Sequence, residues 1–176
     1  MKKGLVQVYT GEGKGKTTAA IGQIVRARGR GYKAFLLQFL KKKEGSGELS
    51  LLEELGVKVV CRGGEHFQDL NKLTNEERGR ITSEWDNLLD EVNKEVVSRR
   101  YDLLVLDEIN VALHYGLISK EKVLSLIRRK PAFLEVILTG RYAPYEIIEK
   151  ADLVSEVKEI KHPFRQGIKA RKGIEY

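Results

Sequence analysis

Leu5-Val6-Gln7-Val8-Tyr9-Thr10-Gly11-Glu12-Gly13-Lys14-Gly15-Lys16-Thr17-Thr18-Ala19-Ala20 is the stretch on which the fold turns. A short apolar, β-branched run from Leu5 to Tyr9 reads as a strand. Three glycines between Thr10 and Lys16 then punctuate the chain, and a helical pattern continues through Arg28. Strand, glycine-rich loop and helix is the context of a phosphate-binding Walker A loop. In such a loop glycines let backbone amides turn toward phosphate oxygens, and the helix N-terminus adds partial positive charge. Lys16 is then the phosphate partner at the loop mouth and Thr17 a Mg²⁺ ligand, with Thr10, Gly11, Glu12, Gly13, Lys14, Gly15 and Thr18 completing the cradle. The pattern departs from G-x4-G-K-[ST] at its first position, where Thr10 replaces glycine.

Outward from this stretch the alternation recurs. Ala34–Leu40, Val57–Cys61, Leu103–Leu106, Leu134–Leu138 and Leu153–Val157 read as five further strands, with helices between most of them. Thr74 and Glu77 form a capping box ahead of Ile81, Trp85, Leu88, Leu89, Val92 and Val96, which predicts an amphipathic helix of about six turns. Ser119 is placed to cap the helix of Val123, Leu124 and Ile127, and Pro144 to open the one carrying Ile147 and Ile148. Apolar strands separated by helices predict an α/β fold of P-loop NTPase-like (RecA-like) type. Its mostly parallel sheet has helices on both faces, and residues 1–176 make one domain. Ligands in such folds bind at the carboxyl ends of the strands.

Two other strand ends carry polar residues. Leu103-Leu104-Val105-Leu106-Asp107-Glu108 reads as a Walker B strand. Placed next to the first strand, it would turn Asp107 and Glu108 toward the phosphate loop to hold Mg²⁺ directly or through water. Thr139-Gly140-Arg141 offers a guanidinium for triphosphate oxygens, and Arg26 on the first helix is a candidate for ribose or phosphate. His114 and Tyr115 fit either helix packing or a substrate face, and Lys41-Lys42-Lys43 reads as a solvated loop. With 32 Lys and Arg against 25 Asp and Glu the net charge is +7, which favours anionic partners without choosing among them. The single cysteine, Cys61, excludes an intrachain disulfide and a multi-cysteine metal site. No apolar run reaches the roughly 20 residues of a membrane span and no signal peptide opens the chain, so a cytoplasmic protein without membrane contact is expected. On these grounds alone, a P-loop ATPase acting on nucleic acid and a small-molecule kinase stay open beside other nucleotide chemistry. No nucleic-acid signature accompanies the charge, which makes nucleic acid the weaker reading.

The stretch Val8–Ala20, with its missing first glycine, closely resembles the phosphate loop of the ATP:corrinoid adenosyltransferases. Ala151-Asp152-Leu153-Val154-Ser155-Glu156, Lys158, Lys161-His162, Phe164, Gly167, Ile168-Lys169-Ala170 and Gly173-Ile174-Glu175-Tyr176 resemble that family's C-terminal signature. Leu106-Asp107-Glu108 and Leu138-Thr139-Gly140-Arg141 follow in order. The resemblance implies transfer of the 5′-deoxyadenosyl group of ATP to the Co(I) centre of a corrinoid with release of triphosphate, in adenosylcobalamin synthesis or salvage. It also implies Mg²⁺, ATP reversed along the loop relative to kinases, a homodimer, and electron supply from a flavodoxin-type reductase. Lys16 and Arg141 would then act on the leaving triphosphate. The family places aromatic residues below the corrin ring, and the corresponding loop here is Gly63-Gly64-Glu65-His66-Phe67-Gln68. Phe67 is its aromatic, and Glu65 stands where a second is expected. The chain begins almost at its first strand, so the N-terminal extension that covers the site in some members is expected to be missing.

Overall fold

The strands are short, and each is joined to the next by a connection long enough for the crossover that parallel pairing needs. The computed structural model describes residues 3–43, 46–63 and 70–175. In chain order these form β1 (Val6–Thr10), α1 (Lys16–Arg28), β2 (Ala34–Phe39), α2 (Gly47–Glu54), β3 (Lys58–Arg62) and α3 (Asn75–Ser98). There follow β4 (Leu103–Asp107), α4 (Ile109–His114), α5 (Lys120–Arg129), β5 (Glu135–Thr139), α6 (Tyr145–Lys150) and β6 (Leu153–Glu156). The described strands make one six-stranded sheet in the order β3-β2-β4-β5-β1-β6, every pair parallel.

Alternation along the strands divides the core between the two faces. Phe35, Leu37 and Phe39 of β2, with Leu104, Leu106, Val136 and Leu138, meet Trp85, Leu89 and Val92 of α3 and the apolar sides of α4, α5 and α6. Phe39 and Trp85 lie with ring centroids 5.0 Å apart. On the other face Leu36, Leu103, Val105 and Ile137 meet Ala20 and Ile24 of α1 and Leu49 and Leu52 of α2. The Thr74 capping box forms as its spacing requires: Glu77 N donates to Thr74 Oγ1 at 3.2 Å and Thr74 N donates to Glu77 Oε2 at 2.8 Å. Ser119 likewise accepts from Lys122 N.

The structure corrects three expectations. β4 is not next to β1, because β5 lies between them. Pro144 occupies the cap before α6 rather than its first turn; its φ of −61° suits either place, but its ψ of 144° is extended. β6 is not covered on both faces, since all four of its residues are exposed at the sheet edge. Helix α2, which sequence periodicity did not reveal, covers the face beside α1.

Candidate nucleotide site

The phosphate loop leaves the carboxyl end of β1 and enters α1 at Lys16, so the helix N-terminus points into the loop. Two glycines make the path achievable. Gly11 has φ 96°, and a Cβ there would stand 2.5 Å from Val157 O; Gly15 has φ 122°, a region side chains rarely adopt. The missing first glycine has a physical reason: Thr10 is still the last residue of β1, and its Oγ1 accepts from Ala143 N at 3.3 Å. The loop is backed by the segment after β6, where Gly13 N donates to Val157 O at 2.7 Å. That amide is therefore spent on the scaffold rather than turned inward.

Lys16 is buried, not set at the mouth. Its Nζ donates to Gly11 O at 2.6 Å and to Gly13 O at 2.7 Å, folding the side chain back across its own loop. Desolvation lowers its pKa, Glu108 and Glu12 oppose that, and Arg141 and Lys41 add to it.

Asp107, at the end of β4, is fully buried and is the hub of the site. Its Oδ1 accepts from Thr17 Oγ1 at 2.9 Å and from Thr139 Oγ1 at 2.6 Å. Its Oδ2 accepts from Gln38 Nε2 at 3.0 Å and from Lys41 Nζ at 2.8 Å. Four donors from α1, β2, the segment after β2 and β5 thus meet on one carboxylate, and Thr17 reaches it because α1 packs over β4 as well as β5. Glu108 follows in the left-handed region at φ 59°, with its N donating to Thr139 Oγ1 at 3.0 Å. Burial raises the Glu108 pKa and the neighbouring Asp107 adds to the shift, while Lys41, Lys16 and Arg141 oppose it.

Lys41 is the residue that sequence reading misplaced. Its Nζ also donates to Thr17 Oγ1 at 2.9 Å and lies 3.8 Å from Glu108 Oε1. Burial alone would lower its pKa, but Asp107 and Glu108 carry it above the ordinary lysine value. The backbone is bent to place it: Leu40 has φ 61°, and a Cβ on Gly63 would stand 2.5 Å from Lys41 C, N and O. Leu40, Glu108 and Tyr142 all have positive φ, and each lies just beyond the carboxyl end of a strand. Such conformations cost on the order of 1–3 kcal/mol each and cluster where a site requires them. The visible signal was Gln38, a polar residue inside an otherwise apolar strand and itself buried against Asp107.

The loop, Lys41, Glu108 and Arg141 wall a cavity of about 820 Å³, closed on one side by His162, Ile174 and Glu175. That volume is within the ordinary range for a small-molecule site. Arg141 pairs across the mouth with Glu12 at 3.2 Å. Lys14 Nζ donates to Glu175 Oε1 at 2.9 Å and to Ile174 O at 3.2 Å, fastening the C-terminal segment to the loop. Hydrogen bonds from Arg171 and Lys14 hold the Glu175 carboxyl down at about 2. His114 stacks on Tyr142 at 4.4 Å and meets Tyr115 edge-on at 5.0 Å, beside Arg141 in the chain.

Among the predicted site residues the structure gathers Glu12, Gly13, Lys14, Gly15, Lys16, Thr17, Thr18, Glu108 and Arg141 at this cavity, with Thr10, Gly11 and Asp107 directly beneath it. Arg26 is exposed in the last turn of α1, donates to Gln23 Oε1 at 3.3 Å and is not part of the cavity wall. Phe67 and Glu65 lie outside the described residues. Thr139 and Gln38 join the site as Asp107 partners that sequence reading did not assign. Among the described residues no three His, Cys, Asp or Glu side chains gather as a metal centre. A cation is nevertheless what this donor set receives, since the Lys41 ammonium already sits among Thr17 Oγ1, Asp107 Oδ2 and Glu108 Oε1. Thr17, Asp107 and Glu108 therefore fit Mg²⁺ as ligands directly or through water.

Residues 2–176 match the family described as ATP:corrinoid adenosyltransferase BtuR/CobO/CobP. The chain belongs to this family. It is 38% identical to a corrinoid adenosyltransferase of Sinorhizobium, over 99% of this chain and 81% of that one. It is 35% identical to the corrinoid adenosyltransferase of Escherichia coli K12, over 99% and 87%. Among solved structures, a KaiC-like protein of Pyrococcus horikoshii superposes with a TM-score of 0.56 at 21% identity, covering 90% of this chain and 75% of that one, a likeness of fold alone. As a corrinoid adenosyltransferase, the chain is an enzyme that moves the adenosyl group of ATP to a corrinoid. No helix among the described residues is long and apolar enough to cross a membrane.

Proposed function

We propose that the cavity above the phosphate loop holds the triphosphate of ATP as a leaving group while the cobalt of a reduced corrinoid attacks the 5′ carbon. The observation that carries this reading is the convergence of Lys14, Lys16, Lys41 and Arg141 on one cavity. Glu12, Glu48, Glu108 and Glu175 line the same cavity, so a polyanion would bind by exchange, taking these cations from the carboxylates and loop carbonyls that hold them. Co(I) is already a strong nucleophile and needs no base to activate it. The work left to the protein is to position the 5′ carbon and stabilise charge developing on the departing oxygen. The cobalt electron pair forms the Co–C5′ bond as the C5′–O bond breaks, and that bonding pair leaves on the triphosphate.

Lys16 and Arg141 would meet this charge once nucleotide draws them from the loop carbonyls and from Glu12, the partners they now hold. Thr17, Asp107 and Glu108 would hold Mg²⁺, which when bound supplies further charge neutralisation on the triphosphate. The RecA-like reading of the sheet is supported by the single strand, β5, that separates the phosphate-loop strand from the carboxylate strand. A homodimer is supported by exposed apolar residues on and after β6, Leu153, Val154, Ile160 and Phe164. The net charge of +7 suits an acidic flavodoxin-type electron donor.

The test is chromatography of the products formed from ATP and chemically reduced corrinoid. Intact triphosphate in equal amount to adenosylated corrinoid is expected. Orthophosphate without adenosylated corrinoid would make the protein an ATPase, and ADP with a phosphorylated acceptor would make it a kinase.

A further inference from the structure

The Lys41 ammonium has the surroundings of a bound cation rather than of a surface lysine. Three oxygens face it, one from α1 and two from the adjacent residues at the end of β4: Thr17 Oγ1 at 2.9 Å, Asp107 Oδ2 at 2.8 Å and Glu108 Oε1 at 3.8 Å. These are the oxygens to which the preceding reading assigns Mg²⁺. Two backbone features fix the lysine there, the left-handed Leu40 before it and the close approach of Gly63 to its own peptide. Neither would be needed for a solvated side chain.

We infer that Lys41 is a tethered cation that fills the divalent-metal position of the nucleotide-free enzyme, so that metal and nucleotide enter together and displace it. One ammonium and one divalent ion cannot share these oxygens at contact distance. Their repulsion is twice that of two unit charges at the same separation. Without the lysine, Asp107 would be buried with no cation in contact among the described residues, and Glu108 would keep only the charges of Lys16 and Arg141. The tethered ammonium therefore compensates these carboxylates and competes with free metal for their oxygens. With ATP bound, its phosphate oxygens would give the displaced ammonium new partners, since Lys41 also lines the cavity wall. Lys41 is thus a positioning residue whose role includes the order in which the site is filled.

This inference rests on the metal assignment of the preceding section, and its test separates the two. Binding of Mn²⁺ is measured on the full chain and on Lys41→Ala, without nucleotide from the loss of the free-ion EPR signal, and with ATP from the excess manganese on the protein side of an equilibrium dialysis against Mn·ATP. Nucleotide-free Lys41→Ala should bind one Mn²⁺ at least about tenfold more tightly than nucleotide-free wild type. The gain should vanish in Lys41→Ala/Asp107→Asn. Lys41→Met, which keeps the stem and drops the charge, is the second variant should the alanine protein fail to fold. Tight stoichiometric Mn²⁺ binding by nucleotide-free wild type overturns the inference whichever variant folds. Equal nucleotide-free affinities in wild type and variant, with ATP-dependent binding intact in both, overturn it while leaving the metal site in place. No Mn²⁺ taken up by either protein in the presence of ATP overturns the metal assignment itself.

Discussion

Replacing Asp107 by asparagine changes one atom of the side chain and should nevertheless be felt across the whole site. The carboxylate accepts four hydrogen bonds and sits fully buried, so both oxygens are committed. An asparagine keeps one acceptor and brings an NH2 group, which must face either Thr17 and Thr139 or Gln38 and Lys41. The two hydroxyls can rotate to accept; the Gln38 amide can flip, though its Oε1 already lies 3.5 Å from Cys61 Sγ. The Lys41 bond loses its charge partner in either case. A buried hydrogen bond to a charged group is worth about 1.5–3 kcal/mol, and leaving a donor unmatched adds to the loss. Part is recovered because the Lys41 side chain is 32% exposed and can turn to water and Glu108. A net cost of about 2–4 kcal/mol follows, which for a chain of this length lowers Tm by about 5–15 °C. Urea unfolding is the assay, with a lower midpoint and an unchanged slope expected. An Asp107→Asn protein within about 0.5 kcal/mol of wild type would refute the description of Asp107 as the hub, since a change of that size is typical of an ordinary surface substitution.

Glu108→Gln should behave in the opposite way. The folded-state pKa of Glu108 lies above its ordinary value because of burial. The cost of its charge is therefore absent below the ordinary carboxyl pKa and complete once pH has risen through the raised one, so the variant gains stability over wild type across that window in paired urea titrations. Its Mg²⁺ requirement for half-maximal rate should rise, because the amide keeps the shape and loses the charge that holds the ion. Lys16→Ala should lower transfer to chemically prepared Co(I) corrinoid by about 10²–10³-fold, as for loss of one pre-set donor to developing charge. Because Lys16 is tied to two loop carbonyls, the variant should also lose about 1–2 kcal/mol of stability in urea. Contact of the C-terminal segment with the loop should be constant between pH 5 and 8 by hydrogen exchange. Glu175 is held at about 2, so what it contributes is present above its ordinary pKa and lost only as pH falls toward 2. Glu175→Gln should speed exchange there throughout that range.

What could be read from the residues was what is local. The phosphate loop, the Thr74 capping box, the Ser119 cap and the strand cores each lie within a few residues of their cause, and they formed within a residue or two of where spacing put them. Strand order is not local, and the insertion of β5 between β1 and β4 left no mark in either strand. Lys41 was lost for a related reason. A run of three lysines has the look of a solvated loop, and nothing in its composition reports the left-handed turn at Leu40 or the approach of Gly63. The partners that hold Lys41 come from positions 17, 107 and 108, far away in the chain. Helix α2 was missed because its start, Ser46-Gly47-Glu48, has loop composition and its two buried leucines are too few to show a period.

Departure of triphosphate from the 5′ carbon is tested most directly by following one oxygen atom. ATP carrying ¹⁸O in the bridge between C5′ and the first phosphorus is converted with Co(I) corrinoid, and the released phosphates are analysed by mass spectrometry. Attack at carbon by cobalt predicts that the label leaves entirely in triphosphate. Label retained on an adenosine product would mean that a phosphorus–oxygen bond had broken instead, and would contradict the account.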